Sequence, residues 1–291
     1  CALPILTFGS SLENKQPGLK VNWIKILPVA LRAILYSDCI SKFYYAAAAR
    51  EKEVGQAARL RDDFLQQAEG LIRDKRSKDL LDLLSVAAEQ FNAICRDMNC
   101  PKVGVVGEIF LKFNPFAQKN VIGWLTEKGI EVVPSVLTDF FMQNFVNRKV
   151  RVESCIQKSA MPDFVYKSAY KIINKQIGKF NKAGMKFRYF IPFKDIFEEA
   201  ADARKVISLN AQFGEGWLLP AEIMSYARQG IFNVVSLQPF GCIANHIVSK
   251  GVEKRIKYFF PEMNILSLDF DSGVSDVNIT NRLLLFVDHL K

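Results

Sequence analysis

The chain has 291 residues, of which 49% are hydrophobic and 24% are charged, and its formal net charge is +9. Such a length suits one large domain or two, and no run reaches the apolar length of a transmembrane helix, so we expect no membrane association. We see no basic-then-apolar leader and expect a cytoplasmic protein with reduced thiols. The first residue is Cys1, and we expect the chain to be part of a longer protein.

The first hundred residues predict a helix-rich segment. Prolines and glycines punctuate residues 1–36, which predicts loops and at most one strand. Residues 40–98 lack proline and repeat apolar residues at helical spacing, which predicts two or three long amphipathic helices with a break near 74–78. We interpret 1–100 as the helix-rich remnant of an upstream α/β domain.

An α/β domain with a parallel sheet is predicted for residues 101–291. A β-rich run at 102–110, a helical run at 118–128 and a second β-rich run at 130–136 form a βαβ unit, whose strands are parallel. The same rhythm returns later in the chain. Strands are predicted at 206–209, 233–237 and 264–270, and helices at 215–228, 245–259 and 278–290. The predicted fold class is therefore α/β, with parallel sheets flanked by helices.

Positive charge is concentrated between Arg148 and Lys194, where twelve Lys and Arg residues accompany two acids. Four of these lysines lie four residues apart and form one stripe on a predicted helix: Lys167, Lys171, Lys175 and Lys179. A solvated helix face is the favoured interpretation, and an anion-binding surface is the alternative. Because the segment carries no recognisable nucleic-acid-binding motif, nucleic acid is not favoured as a partner.

Several common catalytic motifs are missing. The sequence has no H-E-x-x-H, no C-x-x-C, no G-x-S-x-G and no P-loop, so a zinc site, a serine hydrolase and a P-loop ATPase are not supported. Gly104 and Gly107 follow a strand but lack the third glycine of a dinucleotide fingerprint, and residues 109–111 do not read as an immediate helix. A tight strand end with close backbone packing is favoured there.

Three further elements have both a structural and a functional interpretation. Cys95 and Cys100 could suit a cluster, but structural thiols are favoured because no other cysteine lies nearby. Residues 214–217 are read as a turn and helix cap, with anion binding by free N–H groups as the alternative. Asp269 and Asp271 could bind a cation or a hydroxyl, but a turn cap is favoured for the second carboxylate.

The segment 235–246 is the most informative part of the chain. An apolar run ends in a polar turn that presents Cys242, with Asn245 and His246 close behind. Ligands of open α/β sheets bind outside the carboxyl ends of the parallel strands. A thiol at this position could be a metal ligand, a nucleophile or a small core residue.

An ordered series of segments resembles the 2-hydroxyacyl-CoA dehydratase D-component family, which includes benzoyl-CoA reductase subunits and activase-related proteins. The matching segments are 105–109, 112–115, 129–134, 139–141, 214–218, 238–242, 245–246 and 269–271, with a weaker match at 1–5. The activase-related branch matches best. The resemblance covers residues 102–291 well and the first ten residues weakly.

The resemblance implies a [4Fe–4S] cluster that takes an electron from an ATP-dependent activator and passes it to a CoA thioester. It implies Cys242 and Cys1 as cluster ligands, with Gln238, Asn245 and His246 orienting the site. A further cysteine segment is expected upstream of Cys1, so we expect the cluster site to be incomplete in this chain.

The sequence and the resemblance together suggest two alternative functions. The first is a dehydratase-like, iron–sulfur-associated protein of anaerobic CoA-thioester metabolism, a lyase if it is catalytic. In that case the basic segment 148–194 would meet CoA phosphates or an acidic redox partner. The second is a non-catalytic scaffold or regulatory domain of a larger activase-related protein, because fold alone does not determine function. The acyl-CoA substrate and the oligomeric state are left open.

Overall fold

A four-stranded parallel sheet is the centre of the computed structural model, which describes residues 22–158 and 162–290. Its strands are β1 (Lys102–Gly107), β2 (Glu131–Pro134), β3 (Asn233–Pro239) and β4 (Asn264–Phe270). The helices of the first half are α1 (Trp23–Ala48), α2 (Gln56–Arg73), α3 (Leu80–Ile94), α4 (Ile109–Phe113), α5 (Val121–Glu127) and α6 (Leu137–Glu153). They are followed by α7 (Asp163–Gly184), α8 (Ile196–Ala203), α9 (Leu218–Arg228), α10 (Glu253–Phe259) and α11 (Asp276–Asp288), with a π-helix at Ala244–Ser249.

The strand order is β2-β1-β3-β4, and every neighbouring pair is parallel. Burial of β1 and β3 is nearly continuous along their length, as expected for strands covered by helices on both faces. The structure confirms the predicted fold class, an α/β protein with a parallel sheet flanked by helices and a helix-rich N-terminal part. It also confirms the predicted βαβ unit, in which β1 and β2 pair from Lys102 with Glu131 onward.

A helical core packs beside the sheet. Phe43 in α1 lies at its centre, with its ring centroid 5.7 Å from that of Phe91 and 4.9 Å from that of Phe187. The predicted break near residue 76 is confirmed, because α2 ends at Arg73 and α3 begins at Leu80. The buried residues of this core run from Leu35 to Ala221 and so include helices on both sides of residue 100. The domain division at residue 100 stays a prediction.

The prediction of loops throughout residues 1–36 is wrong within the described residues, because α1 begins at Trp23 and contains Pro28. Proline near the start of a helix removes a backbone donor. From Leu35 onward α1 buries an apolar face, and this burial outweighs the lost hydrogen bond. None of the helices within residues 22–158 and 162–290 has the length and apolarity needed to cross a bilayer.

Three other local predictions are corrected. Residues 206–209 form a turn rather than a strand, and Val206 and Leu209 are buried there. A four-residue apolar run cannot be distinguished from a buried turn by its periodicity. Residues 245–259 form a π-helix and α10 rather than one helix. A helix does begin directly after β1, because the carboxylate of Glu108 accepts a hydrogen bond from the Leu111 N–H at 3.1 Å and caps α4.

Candidate functional site at the carboxyl edge of the sheet

The strand order reverses between β1 and β3, whose carboxyl ends lie side by side. From β1 the chain first adds β2 on one side, and it later adds β3 on the other side. Such a point, where the strand order reverses, is where open α/β sheets bind their ligands. The turn that follows β3 carries Cys242, so this thiol lies at the switch point.

The backbones of β1 and β3 approach closely at this edge. Gly107 has φ +142°, and a Cβ built on it would lie 2.2 Å from the carbonyl oxygen of Leu237. The Glu108 N–H donates to the same oxygen at 3.1 Å. A Cβ on Gly104 would lie 2.5 Å from the Tyr226 ring. The predicted close backbone packing is therefore confirmed at Gly107, whereas Gly104 makes room for the Tyr226 side chain of α9.

The Cys242 thiol is half-buried and has one polar neighbour among the described residues. The side-chain amide of Asn245 donates to Cys242 Sγ at 3.1 Å. Asn245 is fully buried in the π-helix, and its Oδ1 has no hydrogen-bond partner within the described part of the chain. π-helical turns are rare and occur often at functional sites. The predicted association of Asn245 with Cys242 is thus present as a direct contact.

Gln238 and His246 have other partners. Gln238 is fully buried at the end of β3, and its Nε2 donates to Ser236 Oγ at 3.2 Å. Its Oε1 lacks a hydrogen-bond partner among the described residues. His246 Nε2 lies 2.8 Å from Asp269 Oδ1, so this imidazole is oriented by a carboxylate at the end of β4. Within the described hydrogen bonds, neither side chain contacts the thiol.

The other residues singled out in the sequence are the remaining cysteines and Asp271. Cys1 lies outside the described residues. Asp271 Oδ1 accepts from the Gly273 N–H at 2.8 Å, which confirms the predicted turn cap. Cys95 is buried, and Cys100 Sγ donates to the Ala49 carbonyl oxygen at 3.3 Å, as expected of structural thiols. The cysteines of the described ranges are free thiols.

The turn at 214–217 contacts the loop after β1 through the Glu215 side chain. The N–H groups of Leu218 and Leu219 both donate to the Glu215 carbonyl oxygen, so the predicted turn is present. The predicted cap is not, because α9 begins after Trp217 without a side-chain cap. The Glu215 carboxylate reaches back to the loop after β1. Its Oε2 accepts from the Ile109 N–H at 3.0 Å, and its Oε1 lies 2.9 Å from Lys112 Nζ.

Sequence reasoning missed a buried group of charged residues next to this edge. Lys112 lies within 2.9 Å of Glu215 and 3.5 Å of Glu222, and all three side chains are almost fully buried. Desolvation raises the pKa of Glu222 to about 7. Desolvation also raises the pKa of Asp139 well above its ordinary value and lowers the pKa of Lys42. The available signal was a single acid, Glu222, within the otherwise apolar start of α9.

A metal centre is not complete within the described residues. No group of three His, Cys, Asp or Glu side chains is placed there to hold a metal ion. At the carboxyl edge, Cys242 is the thiol that these residues contribute. If a cluster bound here, the described residues would supply one thiolate ligand, and the remaining ligands would come from outside the described ranges.

Comparisons with known proteins returned no relative. No family model matches the chain, and no curated protein or solved structure is significantly similar to it. The resemblance to the dehydratase D-component family therefore stays a prediction.

Proposed function

We propose that this chain belongs to a dehydratase-like, iron–sulfur-associated protein in which Cys242 is one ligand of a [4Fe–4S] cluster. The observation that carries the proposal is the location of a half-buried thiol at the switch point of a parallel sheet. By resemblance, Cys1 and an upstream cysteine complete the ligand set. An ATP-dependent activator is the electron donor, and an acyl-CoA is the substrate.

The surroundings of Cys242 support this role. The N–H···S hydrogen bond from Asn245 at 3.1 Å stabilises negative charge on the sulfur. Hydrogen bonds to ligand sulfurs set the reduction potential of iron–sulfur clusters. Asn245 is itself held by burial, so its amide has a fixed position relative to the thiol.

Apolar residues near Cys242 bear on how much water reaches the thiol. Three apolar side chains that flank Cys242 in the sequence are exposed: Phe240, Ile243 and Ile247. If the segment that supplies the other cluster ligands covers these side chains, it excludes water from the Cys242 sulfur. Electrostatic interactions at the sulfur then become stronger. A bound cluster would supply one-electron chemistry. The contact between His246 Nε2 and Asp269 Oδ1 at 2.8 Å fixes the orientation of the imidazole ring.

The alternative function is a non-catalytic scaffold or regulatory domain of a larger protein. One observation favours it: the described residues offer no complete set of metal ligands. In that case Cys242 is a structural thiol. The two functions differ in whether iron binds at Cys242.

Iron and sulfide content after anaerobic reconstitution distinguishes the two functions. The chain and a version extended upstream of Cys1 are compared with Cys242→Ser and with Cys155→Ser, an exposed cysteine that serves as the control. The proposal expects about four iron atoms per extended chain, lost in Cys242→Ser and retained in Cys155→Ser. Iron that is absent from every version, or retained in Cys242→Ser, contradicts the proposal and favours the scaffold.

A further inference from the structure

A small polar pocket lies between the helical core and the carboxyl end of β2. Three acids line it, Asp139, Glu199 and Glu222, together with the lysines Lys42 and Lys194. Its volume is about 40 Å³, which accommodates a polar group the size of one or two water molecules. Lys42, Asp139 and Lys194 are half-buried, whereas Glu199 and Glu222 lie at the buried end.

The buried charges of this region do not balance. Around the pocket and the adjoining ion pair of Lys112 lie four carboxylates and three ammonium groups: Asp139, Glu199, Glu215, Glu222, Lys42, Lys112 and Lys194. The nearby Asp38 is compensated separately, because its carboxylate accepts hydrogen bonds from the N–H groups of Leu137 and Thr138 at the start of α6. With all seven side chains ionised, the group carries one more negative than positive charge.

Two carboxylate oxygens at the buried end also lack donors. Glu199 Oε1 accepts from Ser225 Oγ at 2.9 Å, but Glu199 Oε2 has no hydrogen-bond partner within the described residues. Glu222 Oε2 lacks a partner as well. Glu199 is 7% exposed and Glu222 is 4% exposed, so bulk water does not solvate them. Buried polar atoms without a partner are strongly disfavoured, and a cationic donor in the pocket satisfies both atoms.

We infer that the pocket binds a small ammonium group, either ammonium itself or the head of a primary amine, which donates N–H bonds to Glu199 and Glu222. A metal ion does not fit the same arrangement, since no three ligating side chains of the described residues converge on one point. An N–H donor needs only separate acceptors, which the two free oxygens provide. The inference does not depend on the iron–sulfur function, because Cys242 does not line the pocket.

A proton competes with the ammonium group for the same charge. Desolvation raises the pKa of Glu222 to about 7, against the attraction of Lys112, while Glu215 and Glu199 raise it further. Asp139 and Lys42 face the same pocket from α6 and α1. Below about pH 7 Glu222 is protonated and the missing charge is supplied. Ammonium binding is therefore expected to strengthen as the pH rises through this value.

Thermal unfolding of the chain at about pH 8 tests the inference. Ammonium chloride and methylammonium chloride are compared with sodium chloride and tetramethylammonium chloride at equal ionic strength. The first two are expected to raise the midpoint saturably, by roughly 3 °C at about ten times the dissociation constant. Tetramethylammonium has no N–H group and is too large for the pocket, so it should behave like sodium.

Two neutral variants, Glu222→Gln and Glu199→Gln, remove the charge with little change in shape and should abolish the ammonium effect. Glu127→Gln alters an exposed acid outside the pocket and should retain it. Because Glu222→Gln balances the buried charge, this variant is expected to fold, which circular dichroism verifies. Equal midpoints in ammonium and sodium overturn the inference, as does an ammonium effect that persists in both pocket variants. An infrared band of a protonated carboxyl group at about pH 8 that disappears in Glu222→Gln would identify a proton as the missing charge, which also overturns it.

Discussion

Replacing Gly107 with alanine tests whether the candidate site depends on the close approach of β1 and β3. Gly107 pairs with Leu237 at the carboxyl end of both strands. A Cβ there would lie 2.2 Å from the Leu237 carbonyl oxygen and 2.8 Å from its nitrogen. These neighbours are backbone atoms of a buried strand, so no side-chain rotation relieves the overlap.

The magnitude follows from two contributions. A residue with a side chain at φ +142° is strained by about 1–3 kcal/mol. Displacing packed atoms in a close-packed interior costs about 1–3 kcal/mol more. The smaller entropy of the unfolded chain with alanine offsets about 0.4–1 kcal/mol of this. We expect Gly107→Ala to lower the free energy of unfolding by about 3 kcal/mol, the middle of the range of about 1–6 kcal/mol that these contributions allow.

Gly129→Ala is the matched control. Gly129 has φ +74°, but a Cβ there would have no atom within 4 Å. The left-handed conformation alone costs about 1–2 kcal/mol, so a net loss of about 1 kcal/mol is expected once the entropy of the unfolded chain is included. Urea unfolding followed by circular dichroism measures both variants. Equal losses for the two glycines would refute the reasoning that the strands are in close contact at Gly107.

Three further predictions concern buried groups. The buried Arg50 guanidinium lies 2.6 Å from the Glu131 carboxylate, and Glu131→Gln removes this ion-pair partner. Urea unfolding should show that the free energy of unfolding falls by about 3–5 kcal/mol. A decrease below about 1 kcal/mol would contradict the importance of the pair. Because the pKa of Glu222 is raised to about 7, the folded state binds more protons than the unfolded state between about pH 4.5 and 7. The free energy of unfolding should therefore decrease by about 3 kcal/mol as the pH rises from about 4.5 to about 7, and Glu222→Gln should show a smaller decrease over the same range. Burial raises the pKa of Cys39, and it raises that of Cys95 to about 11, so mass spectrometry after native alkylation at about pH 8 should find both thiols unmodified.

Part of the candidate site could be predicted from the sequence. The apolar run before Pro239 and the polar turn after it placed Cys242 beyond the carboxyl end of a strand, and the structure has β3 end at Pro239. The pairing of Asn245 with the thiol follows from a spacing of three residues, which brings the two side chains together in one helical turn. The contact between His246 and Asp269 joins elements more than twenty residues apart and needed the tertiary structure.

The elements themselves follow from local patterns. The alternation of strands and helices, the break before Leu80 and the parallel direction of β1 and β2 can be read from periodicity and spacing, because side-chain repeat and crossover length are properties of short segments. Short or atypical segments could not be read in this way. Residues 206–209 are too few for a period, and the π-helix at Ala244–Ser249 has no sequence pattern of its own.

The sequence by itself determined the fold class and the placement of a thiol after a strand, since both depend on the order of residues along the chain. Only the tertiary structure decided the strand order β2-β1-β3-β4, and with it the switch point beside Cys242. It alone also brought Lys42, Asp139, Glu199 and Glu222 around one pocket. Long-range packing selects these neighbours, and the cost of burying a charge depends on which neighbours it meets, so neither property is encoded in any one segment.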